Sequence, residues 1–170
     1  MKNKTDIRIV AKNIRKNLAT EDLSLTLCKN LKTSAIYAKA KHIMLFYPLK
    51  DEINTLSLLK DSDKHFYLPR INGKDMEVCP YKRGDELKLS TFKTQEPISQ
   101  AVNPQILDLI IVPALMADKH NYRLGYGKGY YDRFLTKTEA KSVVLIPKEL
   151  IVENLPTESH DKTVDFIITN

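Results

Sequence analysis

The chain has 170 residues, 42% hydrophobic and 28% charged; that length suits a folded domain burying roughly two thirds of its unfolded surface, and the composition excludes wholesale disorder. No apolar run approaches the ~20 residues of a membrane span, and the basic start MKNKTDIRIVAKNIRKNL lacks the apolar core of a secretory signal. Net charge is +6, and the first 50 residues carry 11 Lys/Arg against 3 Asp/Glu, so either an anionic partner or a solvated basic face is expected there.

Ile7, Val10, Ile14 and Leu18 recur at helical spacing, which predicts an amphipathic helix over residues 4–18. ATEDLSLTLCKNL predicts a second, with Thr20 as N-cap and Glu21 and Asp22 in the first turn, where the helix dipole favours negative charge. HIMLFYP reads as a short buried strand ended by Pro48, residues 53–61 as a helix carrying Leu56, Leu58 and Leu59, and HFYLP as a second strand. Strand, helix, strand is the crossover unit of a parallel sheet. NGKD signals a turn, and MEVCPY an edge strand, because Pro80 cannot donate to a ladder.

Residues 83–105 read as loop, with Pro97 and Pro104. ILDLIIVPAL is the strongest buried-strand signal, followed by the polar loop ADKHNYR, a glycine-dense stretch and a helix over about residues 130–138. SVVLI and VDFIIT add two strands. No repeat or linker divides the chain, so one α/β domain over residues 1–170 is expected. Cys28 and Cys79 are far apart and the four histidines (His42, His65, His120, His160) are scattered, which is no disulfide or zinc spacing. Free thiols in a reducing compartment, with a cytoplasmic location, are the expectation.

The stretch RLGYGKGYYDRFL, residues 123–135, packs three of the chain's five glycines into five positions. Glycine lets backbone N–H groups approach an anion closely, and a strand–loop–glycine–helix order can converge such groups on a phosphate. Arg123 offers a planar fork and Lys128 a mobile point charge. The spacing Gly-x-Gly-x-Gly is neither the dinucleotide fingerprint nor the P-loop, and as a bare pattern it is also that of an ordinary turn. Asp132 would repel a naked phosphate; it reads equally as a complement to the helix dipole or as a ligand to Mg²⁺ bridging carboxylate and polyphosphate.

RLGYGKGYYDRFL preceded by DLIIVPALMAD resembles the signature of the 5-formyltetrahydrofolate cyclo-ligase family, and the resemblance extends to KTDIRIVAKNIRKNLATED, FYPLKDEINT and LPTESHDKTVDFIIT. Ala114, Ala117 and Leu150 depart from the family pattern. The resemblance implies a three-layer sandwich with a mostly parallel central sheet flanked by helices, similar to the fold of sugar-phosphate isomerases and CoA transferases. It implies ATP-dependent cyclisation of 5-formyltetrahydrofolate, polyglutamylated or not, to 5,10-methenyltetrahydrofolate, with ADP and phosphate released.

ATP would be held by Lys4, Arg8, Arg123, Leu124, Gly125, Tyr126, Gly127, Lys128, Gly129, Tyr130 and Tyr131, with Arg123 and Lys128 as the catalytic cations. Tyr47, Glu52, Tyr126 and Tyr130 would contact the folate, and Asp132 and Asp165 would hold Mg²⁺. Arg70, after Pro69, is a further candidate for an anion contact. A monomer with no membrane or nucleic-acid partner is the expectation. Two rival readings stand beside it: another phosphorylated-ligand enzyme on the same scaffold, and a basic nucleic-acid-binding module, although the basic residues show no interleaved aromatics and no known reader motif.

Overall fold

Branched aliphatic runs with no polar alternation need both faces covered, and the centre of this molecule meets that need. The computed structural model describes residues 3–91 and 93–170. Its central sheet contains β1 (His42–Met44), β2 (His65–Asn72), β3 (Asp75–Pro80), β6 (Leu109–Ile111), β9 (Lys141–Leu145) and β11 (Phe166–Ile168), in the order β11-β9-β6-β1-β2-β3. All neighbours are parallel except the antiparallel pair β2–β3 at one edge, where Pro80 faces Tyr67.

One face carries Ile43, Leu45, Phe66, Leu68, Leu109, Ile111, Val143 and Leu145, covered by Leu27, Cys28 and Leu31 of α2 (Thr20–Lys32) and Tyr37 of α3 (Ala35–Lys39). The other carries Met44, Tyr67, Ile110, Val112, Val144 and Ile146, covered by α1 (Lys4–Lys16), α4 (Tyr130–Leu135) and a small sheet. That sheet joins β7 (Met116–Asp118), β8 (Arg123–Leu124) and β10 (Ile151–Val152) in the order β10-β7-β8. The three-layer, mostly parallel α/β architecture is as expected.

Several local expectations are corrected. The N-cap of α2 is Ala19, with Thr20 already helical, and α1 ends at Lys16. Val10, expected on the buried stripe, is 37% exposed, while Ala11 and Arg15 are buried in its place. Residues 53–61 form only a 3-10 turn, Leu56–Lys60. The preceding residue Asn54 is tied to α2 from both sides, its N–H donating to Ser24 Oγ and its carbonyl accepting from Cys28 Sγ, which delays any helical winding. Within the segment read as loop, β4 (Leu87–Leu89) pairs antiparallel with β5 (Gln95–Pro97), a hairpin too short to announce itself by alternation.

Strand order reverses at β1. The chain moves from β1 to β2 on one side, then returns to β6 on the other. In open parallel sheets a ligand crevice forms beyond the carboxyl ends of the strands at such a switch point. The segments following Met44 and Ile111 therefore mark where a site belongs.

Ile43 is fully buried between β2 and β6. Ile43→Ala should cost about 2–5 kcal/mol of unfolding free energy, read as a lowered urea midpoint with little change in slope.

Candidate active site

A cleft of about 1310 Å³ opens at the switch point, larger than the roughly 300–1,000 Å³ that suits one small ligand. Its walls come from the start of α1, the segment after β1, the β2–β3 hairpin, β5, the glycine loop with α4, and residues 156–162.

The first wall is cationic. Lys4, Arg8, Ala11 and Arg15 fall at i, i+4, i+7 and i+11, so one helix face carries three cations against the protein. Lys4 Nζ meets Asp161 at 2.6 Å and Glu158 at 3.2 Å. Burial tends to lower the Lys4 pKa, but the two carboxylates outweigh it and hold the ammonium above its ordinary value. Burial likewise opposes ionisation of Asp161, yet Lys4 and the Glu158 N–H bring its carboxyl below the usual range.

Arg8 Nε donates to the Gly125 carbonyl at 2.9 Å, and its guanidinium lies under Gly127. Gly127 has φ +93°, and a Cβ there would sit 3.0 Å from Arg8 Nη2. Gly129 has φ +68°, and a Cβ there would come within 2.8 Å of Arg133 Nη1. Arg133 in turn donates to the carbonyls of Lys128 and Lys74, which fixes the loop to the β2–β3 turn. The left-handed backbone favours glycine at both positions, and a Cβ at either would displace the end of an arginine side chain.

A second, more apolar part of the lining holds Glu52 in the segment after β1. Glu52 is 6% exposed; its Oε2 accepts the Leu49 N–H at 2.8 Å, and the Tyr126 phenol lies beside the same carboxylate. Burial pushes the Glu52 carboxyl up, and the Leu49 N–H, Tyr126 and the Arg15 charge offset this only in part. Burial and the Glu52 charge push the Tyr126 phenol up as well. Tyr47 lines the same wall, half-buried.

Tyr130 donates to the Gly73 carbonyl at 3.2 Å, with Arg133 5.0 Å over its ring. The Tyr131 hydroxyl is buried and unpartnered among the described residues, and that tyrosine packs against the core.

Most of the expected site residues meet in this cleft: Lys4, Arg8, Tyr47, Glu52, Arg123 to Tyr131, and Asp132. Arg123 lines the cleft with its guanidinium already engaged within the protein. Its side chain is 4% exposed, and its guanidinium donates to Asp132 Oδ1 at 3.1 Å and to the Lys162 carbonyl at 2.7 Å. It holds other cleft residues in place. Asp132 Oδ1 also accepts the Lys162 N–H, and its Oδ2 takes no hydrogen bond from a described residue.

Asp165 is not brought to the site. It caps the amino end of β9, its Oδ2 accepting the Ser142 N–H and hydroxyl at 2.8 Å each, with Lys141 at 3.1 Å from Oδ1. Because β9 runs parallel to β6, that end is the edge of the sheet opposite the cleft. Asp161, four residues earlier, is the aspartate that lines it. Arg70 also leaves the list of anion contacts, because it binds Glu77 at 2.8 Å and the carbonyls of Pro97 and Ser99.

Sequence reasoning passed over three supports of the site. Arg15 is buried and donates to the carbonyls of Asp51 and Ala114; the signal was its place eleven residues after Lys4 on one helix face. Asp118 is 1% exposed; its Oδ1 accepts the His120 and Tyr122 N–H groups, and its Oδ2 accepts the Leu155 N–H. Asp161 is reached only because residues 156–162 fold back onto α1, which no local pattern announces. The departures at Ala114, Ala117 and Leu150 are all buried, Ala117 and Leu150 at 0% exposure.

Fold and cleft together define a parallel-sheet α/β protein whose switch-point crevice joins a cationic wall to an apolar wall with a buried carboxylate. The sequence pattern of the 5-formyltetrahydrofolate cyclo-ligase family matches residues 1–170. The chain is 30% identical over 164 residues to the mouse 5-formyltetrahydrofolate cyclo-ligase, covering 85% of this chain and 81% of that protein. It is 32% identical over 137 residues to the Haemophilus influenzae 5-formyltetrahydrofolate cyclo-ligase, covering 72% of each.

The structure superposes on that of Aquifex aeolicus 5,10-methenyltetrahydrofolate synthetase with a TM-score of 0.87 and 31% identity, over 98% of this chain and 89% of that one. A 5,10-methenyltetrahydrofolate synthetase from Mycoplasma pneumoniae shares the fold, with a TM-score of 0.79 at 20% identity over 98% of each chain. The chain belongs to the 5-formyltetrahydrofolate cyclo-ligase family.

Gly127→Ala should destabilise the protein by about 1–3 kcal/mol through its left-handed backbone. It should also displace the Arg8 guanidinium. Urea denaturation and nucleotide titration of the same variant check both effects.

Proposed function

We propose that this cleft binds ATP and 5-formyltetrahydrofolate side by side and cyclises the folate to 5,10-methenyltetrahydrofolate, releasing ADP and phosphate. The observation that carries this reading is the meeting, in one crevice, of a glycine loop backed by Arg8 with a buried, tyrosine-flanked Glu52. The family and its relatives support the same activity. We also set the scaffold beside those of sugar-phosphate isomerases and CoA transferases, although the chemistry is argued from the site and not from that likeness.

The N5 formyl group is amide-like, a poor electrophile without a leaving group. Transfer of the γ-phosphoryl group to the formyl oxygen makes an iminium phosphate; N10 of the same molecule attacks its carbon and gives up its proton to solvent, and phosphate departs with the electrons of the broken C–O bond. Both steps are governed by positioning and charge neutralisation. Lys4, Arg8, Lys128 and the backbone of residues 124–131 face the triphosphate. Arg123 holds Asp132 and residue 162 in register, a positioning role. Glu52 accepts N–H groups of the pterin, with Tyr47, Tyr126 and Tyr130 against its rings.

For magnesium the donor set fits only in part: Asp132 is the carboxylate that would hold it, and Asp161, the aspartate found in the cleft in place of Asp165, gives both oxygens to Lys4 and one also to the Glu158 N–H. Asp132 keeps an oxygen without a donor among the described residues, and Asp161 lines the same wall. No group of three or more His, Cys, Asp or Glu among the described residues could hold an ion unaided, so phosphate and water would complete the shell. Bound Mg²⁺ supplies neutralisation of phosphate charge.

The nucleic-acid rival loses ground because five of the eleven Lys/Arg in the basic first third are engaged within the protein. Arg15 is buried, Arg8 supports the glycine loop, and Lys4, Lys32 and Lys41 pair with carboxylates. We read the chain as a single-domain cytoplasmic monomer; no helix among the described residues is long and apolar enough to cross a membrane.

Methenyl absorbance should rise only when ATP and 5-formyltetrahydrofolate are both present; product without ATP, or none with it, would overturn the reading. Lys128→Ala should weaken ATP binding about tenfold while sparing the fold, as expected for a charge-assisted contact. Glu52 must be ionised to accept two N–H groups, and its pKa is raised above the ordinary 4.5. Folate affinity should therefore be full at neutral pH and fall on acidification, beginning above pH 4.5. Glu52→Gln should bind weakly with no such acid limb, and titration of folate fluorescence against pH checks this.

A further inference from the structure

A second carboxylate is buried in the cleft besides Glu52. Glu96, on β5, is 5% exposed and lines the wall formed with Pro69, Ile71, Met76 and Thr94. Its Oε1 accepts the Ile71 N–H at 3.2 Å. Its Oε2 takes no hydrogen bond from any described residue, yet it is not among the buried side-chain atoms sealed away without a partner, so it is open to the cleft.

Among the described residues no cation forms an ion pair with Glu96. Arg70 feels its charge but gives its guanidinium to Glu77, Pro97 and Ser99. A carboxylate buried on one N–H alone is costly, and native structures retain such a group where something else satisfies it. Glu52, in the same cleft, is likewise buried and accepts a backbone N–H, that of Leu49.

We infer that Glu96 is a second folate-recognising carboxylate, whose Oε2 accepts an N–H of the reduced folate outside the pterin edge that faces Glu52. The inference rests on the folate reading above and deepens it. A charged acceptor set in an apolar wall selects a flat, N–H-bearing molecule. Like charge at Glu96 disfavours the phosphates of ATP there, while Lys4, Arg8 and Lys128 offer them cations in the same cleft. The adenine amino group is the other N–H donor in the reaction, and the experiment separates the two.

Glu96→Gln keeps the volume and an oxygen for the Ile71 N–H but removes the charge. Steady-state kinetics by methenyl absorbance should show KM for 5-formyltetrahydrofolate raised about tenfold or more, with KM for ATP unchanged. Glu96→Asp, which keeps the charge on a shorter arm, should recover part of the loss. An unchanged folate KM overturns the proposal. A rise confined to ATP overturns it in favour of an adenine contact. A parallel loss of both affinities with a lowered urea midpoint overturns it in favour of a structural role. Absence of methenyl formation by the unmodified protein would instead sink the folate reading itself, and is seen before any variant is made.

Discussion

The cleft depends on one buried guanidinium. Arg15 donates to the Asp51 carbonyl in the segment after β1 and to the Ala114 carbonyl in the segment after β6. Those two segments leave the sheet at the switch point, the first carrying Glu52 and the second leading through β7 and β8 to the glycine loop. A single side chain of α1 thus holds both lips of the crevice and, through its own helix, sets Lys4 and Arg8 against them. Its Nε has no partner among the described residues, a cost that two charge-assisted bonds to carbonyls offset. The same charge also bears on Glu52 and restrains the rise in its pKa.

The electrostatics of the site follow from how each charge is housed. On the cationic wall Lys4 and Asp161 stabilise each other's ionised form, so the region stays charged across the ordinary pH range. On the apolar wall Glu52 is set against hydrocarbon and phenol, and its ionisation is opposed. Polyphosphate suits the first environment. A neutral heterocycle with N–H groups suits the second, because its donors replace the water that the carboxylate gives up. The boundary between them is the glycine loop, where Arg8 and Arg133 press against Gly127 and Gly129 from two sides.

Rigidity is supplied from outside the cleft. Asp118 gathers three backbone N–H groups and ties the β7–β8 turn to Leu155, just before residues 156–162. Arg123 then joins that segment to Asp132 through the Lys162 carbonyl. The arginine expected as a phosphate clamp has its guanidinium engaged within the protein. Lysine could not do both jobs, since the planar fork spans two acceptors at once.

Much of this was legible along the chain. Apolar runs at β1, β6 and β9 announced a buried parallel sheet, Pro80 announced its edge, and the clustered glycines with their flanking cations announced a loop that lines the cleft. These are properties of neighbouring residues: hydrophobic run length, a missing N–H, freedom at positive φ. What contact across the chain settled was of another kind. Asp161 and not Asp165 faces the cleft, because strand direction puts Asp165 at the far edge of the sheet. Arg123 turned inward and Arg15 became the central tie because carbonyls distant in sequence were waiting for them. Glu96 emerged from a segment that reads as loop, since its burial comes from β2 packed over it and from nothing in its own neighbourhood. Local chemistry names the kinds of groups a site will use, while the partner of each charge is chosen by the fold, because burial and pairing join residues from elements far apart in sequence.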